Sequence, residues 1–287
     1  NTPAFVAGSV EVFGGADPDL LGVAERVLEQ VASPSTQAAN EFLTAKEFAR
    51  IARQELAYYE ARYPEFSSGV EIDPNGSGLV VSAGRLHIGA DARISRNRVE
   101  ALLAHEIGTH VVTYVNGKSQ PIQLLSSGLA GYEELQEGLA SFAEYLVGGL
   151  PASRMRQLAA RVVAVHLMLD GAGFVDIFRR LHAALEFPPR EAFLIAMRVL
   201  RGGGLTKDTI YLRGLSSLLS YLREQGDFEE LLLGKYGLCQ QPSIRDLREE
   251  GVLREAIVLP RHLADDGCLA RLARAESGLS IPDLVSG

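Results

Sequence analysis

The stretch 99–115, "VEALLAHEIGTHVVTYV", places His105, Glu106 and His110 inside one apolar run. The run has the pattern of a helix. Metal-binding helices of the His-Glu-x-x-His kind set their histidines four apart, so that both project from one face with the glutamate between them. Here the separation is five. On an α-helix five residues advance by about 500°, which leaves the second imidazole roughly 140° around from the first. A local π turn carries five residues through roughly 410° and restores a common face. Gly108 removes a side chain where such a deformation falls. The other geometry ends the helix near Gly108 and brings His110 from the following turn. Both require a departure from α-geometry between His105 and His110.

The chain has 287 residues, 47% of them hydrophobic, which is enough to bury a sizeable core. Its longest apolar runs, such as "VVAVHLML", are too short to span a bilayer, so no membrane partner is expected. No basic amino-terminal region followed by an apolar stretch appears, and a cytoplasmic location is expected. Cys239 and Cys268 form no CxxC pair and read as free thiols. The net charge of −8 argues against a general nucleic-acid-binding face.

Outward from the motif, the sequence changes period twice. Asp17-Pro18 reads as a helix cap and first turn ahead of Leu20, Leu21, Val23, Val27 and Leu28. A second helix, about Thr44 to Tyr63, carries Phe48, Ile51, Leu56 and Tyr59 and stops at Pro64. "SGVEID" and "GLVVSAGRLHIG" read as strands, with "PNGSG" between them as a hairpin or a link between neighbours. After Ser95 helical periodicity dominates, and "GKSQPIQLLSSGLAG" reads as a loop near the motif. Strands followed by a long helical block predict a helix-rich α+β fold with a small sheet preceding the motif helix. With no repeat or flexible linker, residues 1–287 are expected to form one domain: helices in 1–64, the sheet and motif helices in 65–150, and a helical part in 151–287 completing the cleft.

A zinc hydrolase needs imidazole ligands, usually a third protein ligand, an open position for water, and a carboxylate beside that water. His105 and His110 can supply two ligands, and Glu106 adjoins the first. The third is expected from "YEELQEGLASFAEYL", which offers Glu133, Glu134, Glu137 and Glu144. Glu137 stands out because Gly138-Leu139-Ala140 follow it, a setting in which a buried carboxylate without a counter-charge is costly. Glu144, two turns later on that face, can accept a histidine N–H.

"HEIGTH", "NGKSQP", "GLAGYEELQEGLA" and "GGGLTKDTIYLRG", together with "VFGGADPDLLGVAERVL", closely resemble the bacterial QEGLA-motif proteins described as flavohaemoglobin-expression-modulating. They also resemble the eukaryotic microtubule-associated tyrosine carboxypeptidases. The resemblance covers most of the chain and implies a zincin-like zinc metallopeptidase binding one Zn2+ through His105, His110 and Glu137, with Glu106 as general base. It implies a peptide or protein carboxy terminus as substrate, with tyrosine or another aromatic residue removed. An exopeptidase of this type also needs a cation for the terminal carboxylate and a donor for the oxyanion. Arg198, Arg201 and Lys207, flanking Gly202-Gly203-Gly204, are the expected carboxylate-binding residues, and Tyr211 the expected oxyanion donor.

The other histidines read differently. His166 is expected to be satisfied within its apolar helix, His87 to line the cleft from a strand, and His182 and His262 to lie at the surface. Tyr58, Tyr59 and Tyr63 are expected to pack. The main alternative to an enzyme is a zinc-binding regulatory or interaction module on the same fold, against which Glu106 argues, because a closed structural zinc site has no use for a general base. An aminopeptidase or endopeptidase would use the same site with a differently charged cleft.

Overall fold

Asp17 accepts from the Leu20 amide and Pro18 opens the first turn, so the helix expected after "GGAD" forms as Pro18–Gln30. Thr44 and Glu47 form a reciprocal capping box, which starts the second expected helix at Ala45. The computed structural model of the protein describes residues 2–33, 41–201 and 204–285. In chain order the elements are α1 Pro3–Phe13, α2 Pro18–Gln30, β1 Phe42–Thr44, α3 Ala45–Glu60, β2 Gly69–Asp73, β3 Leu79–Ser82, β4 Arg85–Gly89 and β5 Arg93–Ser95. Then come α4 Val99–His105, a π segment Glu106–Val111, α5 Val112–Ser119, α6 Leu124–Ser127, α7 Tyr132–Leu146, α8 Ala152–Leu169 and α9 Phe174–Arg179. The chain continues through a second π segment Arg180–Ala184, α10 Pro189–Leu200, α11 Thr209–Arg223, α12 Gln241–Glu249 and α13 Asp266–Glu276. The fold is helix-rich α+β with small sheets, as the strand-then-helix order predicts. No described helix is long and apolar enough to cross a membrane. Cys239 is exposed, Cys268 is buried, and both are free.

Two compact units organise these elements. One contains the described residues of 1–36, 150–216 and 280–287, and the other those of 37–149 and 217–279. They interleave along the chain. In the first, α8, α9 and α10 enclose a core of Ala160, Ala164, Val165, Ile177, Leu181, Ile195 and Val199. In the second, Phe48, Leu56 and Tyr59 of α3 and Leu86 and Ile88 of β4 pack with Ile107, Val111, Val112 and Val115 of the motif helix. The expected packing of Tyr58, Tyr59 and Tyr63 is present: Tyr59 meets Tyr58 edge-on and stacks on Tyr63.

The strands differ from expectation in one respect. The sheet order is β2-β4-β3, with β2 parallel to β4 and β3 antiparallel to it. "PNGSG" is therefore not a hairpin turn but carries the chain from one edge of the sheet to the other. The hairpin turn is Ala83-Gly84, both with positive φ (47° and 73°), which matches the twist of the flanking strands. Gly84 packs on the Tyr114 ring, where an added Cβ would lie 2.2 Å from a ring carbon. A second pairing, β1 with β5, joins the segment before α3 to the segment before α4.

The loop after the motif helix holds at one close contact. A Cβ on Gly117 would lie 2.1 Å from the Leu125 carbonyl oxygen, a backbone atom that cannot move aside. Gly117→Ala is expected to destabilise the protein by about 1–3 kcal/mol, the usual cost of overpacking, measured as a lower urea midpoint at unchanged slope.

Candidate metal centre

The helix carrying the motif does not end at Gly108. It passes from α4 through the π segment into α5 without interruption, and the Val112 N–H reaches the Ile107 carbonyl five residues back. Thr109 Oγ1 donates to the Ala104 carbonyl at 3.1 Å and Thr113 Oγ1 to the Thr109 carbonyl at 2.8 Å. These hydroxyls add bonds to carbonyls within the segment where the backbone register changes. The π turn, the first of the two geometries expected from the five-residue spacing, is the one adopted.

As a result the imidazoles of His105 and His110 stand 5.1 Å apart, centroid to centroid. Glu137 of α7 faces both: its Oε2 is 3.7 Å from His105 Nε2 and 4.0 Å from His110 Nε2. One ligand atom from each residue lies within 4.8 Å of the other two. Bonds of about 2.1 Å to a tetrahedral zinc place neighbouring ligands roughly 3.4 Å apart, so a small contraction would close this set around a cation. Two nitrogens and a carboxylate oxygen are donors that zinc accepts. Glu106, directly after His105, is buried.

Because both Nε2 atoms face Glu137, the Nδ1 atoms must find other partners. His105 Nδ1 donates to Glu144 Oε1 at 2.9 Å, the partner expected from the sequence. This bond selects the tautomer whose Nε2 lone pair faces the cluster. Glu144 is 1% exposed at its side chain and is also held by Arg98, which bonds the Gly149 carbonyl as well. His110 Nδ1 lies 3.5 Å from Gln136 Oε1, which accepts from Thr113 Oγ1 at 2.8 Å. Burial pushes the His105 pKa down, but the Glu144 bond and the charges of Glu106, Glu144 and Glu137 outweigh it and leave the value raised. At His110 burial dominates, reinforced by His105 and Lys235, and holds the imidazole well below its ordinary pKa. A neutral imidazole is the form that could hold a metal ion.

Two further residues near the motif were not expected. Lys235, from "LLLGKYG", is 9% exposed, with its ammonium 5.7 Å from the Tyr114 ring centroid and 5.8 Å from that of Tyr132. Only Gly234 before it hints at a close backbone approach. His262, expected at the surface, instead packs half-buried against Gly108, where an added Cβ would lie 3.1 Å from its ring. Gly108 therefore serves a close approach as well as the π turn. His166 is within 3.3 Å of Asp170, and His87 of β4 lies 3.7 Å from Glu71. His182 is exposed and bonds the Phe187 carbonyl.

The residues expected to bind a carboxylate belong to the first unit, whereas His105, Glu106, His110 and Glu137 belong to the second. Arg198 Nε donates to both oxygens of buried Asp208, at 2.8 and 2.6 Å. Arg161 approaches the same carboxylate to 3.7 Å. The Tyr211 ring lies 5.9 Å from the Arg154 guanidinium and 5.7 Å from that of Arg161. Lys207 sits 5.2 Å from the Phe13 ring, and Arg201 is exposed at the end of α10. Arg198 and Tyr211 thus share a basic cluster with Arg154 and Arg161, to which the sequence offered no guide.

The sequence model of the family described as microtubule-associated tyrosine carboxypeptidase matches residues 1–278. The chain belongs to that family. Among curated family members it is similar to microtubule-associated tyrosine carboxypeptidase 1 of Homo sapiens, 30% identical over 209 residues. It is also similar to the proteins of that name from Rattus norvegicus, 28% identical over 209 residues, and Mus musculus, 29% over 208. Each alignment covers 64% of this chain and 42% of the relative.

His262 generates a pH prediction. Burial lowers its pKa to about 4, below the unfolded value, so the unfolded chain binds the proton more tightly. Stability is fully present above about pH 6.5, falls as the pH drops, and levels off below about pH 4, with a total loss of at most about 3 kcal/mol. His262→Gln is expected to flatten that part of the stability profile, read by urea unfolding between pH 7 and 4.

Proposed function

We propose that the protein is a zinc-dependent carboxypeptidase of zincin-like architecture that removes a terminal residue, tyrosine or another aromatic, from a peptide or protein. The observation that carries this reading is the convergence of His105 Nε2, His110 Nε2 and Glu137 Oε2 beside buried Glu106. Membership of a family named for tyrosine carboxypeptidase activity supports the reaction class. Kinship with the bacterial QEGLA-motif proteins rests on the motif blocks and is part of the same proposal.

His105, His110 and Glu137 would hold the metal. A zinc ion bound there supplies Lewis acidity, lowering the pKa of water and polarising a carbonyl. The protein's own groups do the rest. Glu106 accepts the proton of the attacking water and returns it to the leaving amine. Glu144, itself held by Arg98, fixes the tautomer and orientation of His105, and Gln136 with Thr113 does the same for His110. Arg198, Arg201 and Lys207 as carboxylate-binding residues and Tyr211 as oxyanion donor remain part of the proposal. Substitution of Arg198 or Tyr211, with KM and kcat read separately, distinguishes binding from oxyanion stabilisation.

Elemental analysis combined with an assay on peptides of varied terminal residue tests the reading. The wild type is expected to carry stoichiometric zinc and Glu137→Ala to lose it. Glu106→Gln should keep the metal while cleavage falls by about 10²- to 10⁴-fold. Glu144→Gln should weaken zinc affinity by roughly 10- to 100-fold, as loss of such a partner typically does. Zinc retained with no terminus cleaved would favour the regulatory or interaction module. Absence of zinc after reconstitution would sink both.

A further inference from the structure

Lys235 is placed with more care than a surface lysine requires. Its amide donates to the Leu125 carbonyl at 2.7 Å and its carbonyl accepts from the Leu129 amide at 2.9 Å. Gly234 lies so close to α6 that a Cβ there would be 2.9 Å from Leu125 and 3.3 Å from the Gly117 Cα. The backbone is thereby pinned between the end of the motif helix and the segment leading into α7. The side chain extends to Tyr114 and Tyr132. Tyr114 is four residues after His110, about one helical turn, and Tyr132 opens α7, which carries Glu137.

The ammonium therefore lies between the two helices that supply the three metal-ligating side chains. Its charge is felt by both His110 and Glu137. Yet the amine has no hydrogen-bond or ion-pair partner among the described residues. Two tyrosine faces attract a cation by about 0.5–2 kcal/mol each, which does not replace the hydration lost on burial. Burial lowers the Lys235 pKa and Glu137 acts the other way.

We propose that Lys235 receives the terminal carboxylate of the substrate chain. The inference rests on the metallopeptidase reading and offers a residue from the same unit as the candidate metal ligands as the alternative to Arg198, Arg201 and Lys207. A carboxylate completes the lysine's hydrogen bonding as a charge-assisted pair. A carboxamide or a continuing chain leaves it desolvated and unneutralised. Preference for a free carboxy terminus follows from that difference.

The test uses zinc-loaded Glu106→Gln protein, which should bind without cleaving, titrated with two peptides that end in tyrosine and differ only in a carboxylate or a carboxamide terminus. The acid is expected to bind about 10- to 100-fold more tightly, the range for a hydrogen bond to a charged group. Adding Lys235→Met should erase that preference while leaving amide affinity, zinc content and melting temperature unchanged. Lys235→Arg should recover part of it. The inference is overturned if the parent protein shows no preference, if Lys235→Met keeps it, or if both peptides weaken equally. If zinc does not bind, the metallopeptidase reading fails, and the same comparison on metal-free protein still decides the role of Lys235. If the preference depends on Lys235 but the parent chain cleaves no terminus, the carboxylate site stands and the enzymatic reading falls.

Discussion

Five residues from His105 to His110 is an awkward step for a helix, and the candidate site depends on how the backbone resolves it. In α-geometry His110 would face away from His105, leaving Glu137 able to meet only one of them. The π register moves the second imidazole onto the face of the first. That register has to be held, because each of its turns forgoes a regular α-helical bond. Thr109 and Thr113 add bonds to carbonyls there, and Ile107 and Val111 anchor the opposite side of the segment in the core with α3 and β4. One face of the helix is fixed by burial and the other is free to carry chemistry.

Around that turn, charge is placed where burial makes it count. Glu144 is almost fully buried, and alone it would be a costly charge; Arg98 on one side and His105 on the other compensate it. The same arrangement raises the His105 pKa, whereas burial, with His105 and Lys235 nearby, holds that of His110 low. The two histidines therefore differ in electrostatic setting even though they face one carboxylate. Lys235 adds positive charge on the side of His110 and Glu137.

Much of this was legible in residue spacing. The five-residue step demanded a departure from α-geometry, and the small residues after Glu137 marked it apart from Glu133 and Glu134. The position of Glu144 two turns on made it a partner for a histidine. What was missed has a common cause. Asn75-Gly76 carries a stronger local turn signal than Ala83-Gly84, yet the hairpin turn formed at the latter, because β4 and not β2 is the antiparallel neighbour of β3. His262 and Lys235 lie more than 100 residues from the motif in sequence, and no local pattern announces their neighbours. Arg161 and Arg154 are ordinary members of an amphipathic helix until Asp208 and Tyr211 come near them.

The sequence by itself determined the helix-rich α+β class, the ligand set on offer, the need for a departure from α-geometry between His105 and His110, and the family, because each follows from local periodicity or from motifs read in order. Tertiary structure alone decided that the helix continues past Gly108, that the strand order is β2-β4-β3, and that Lys235 and His262 border the motif helix. It also decided that the two compact units draw on interleaved parts of the chain. The physical reason is that capping and helical register depend on residues within a turn of one another. Close glycine contacts, buried charges and cation–aromatic neighbours depend on which distant segments share space.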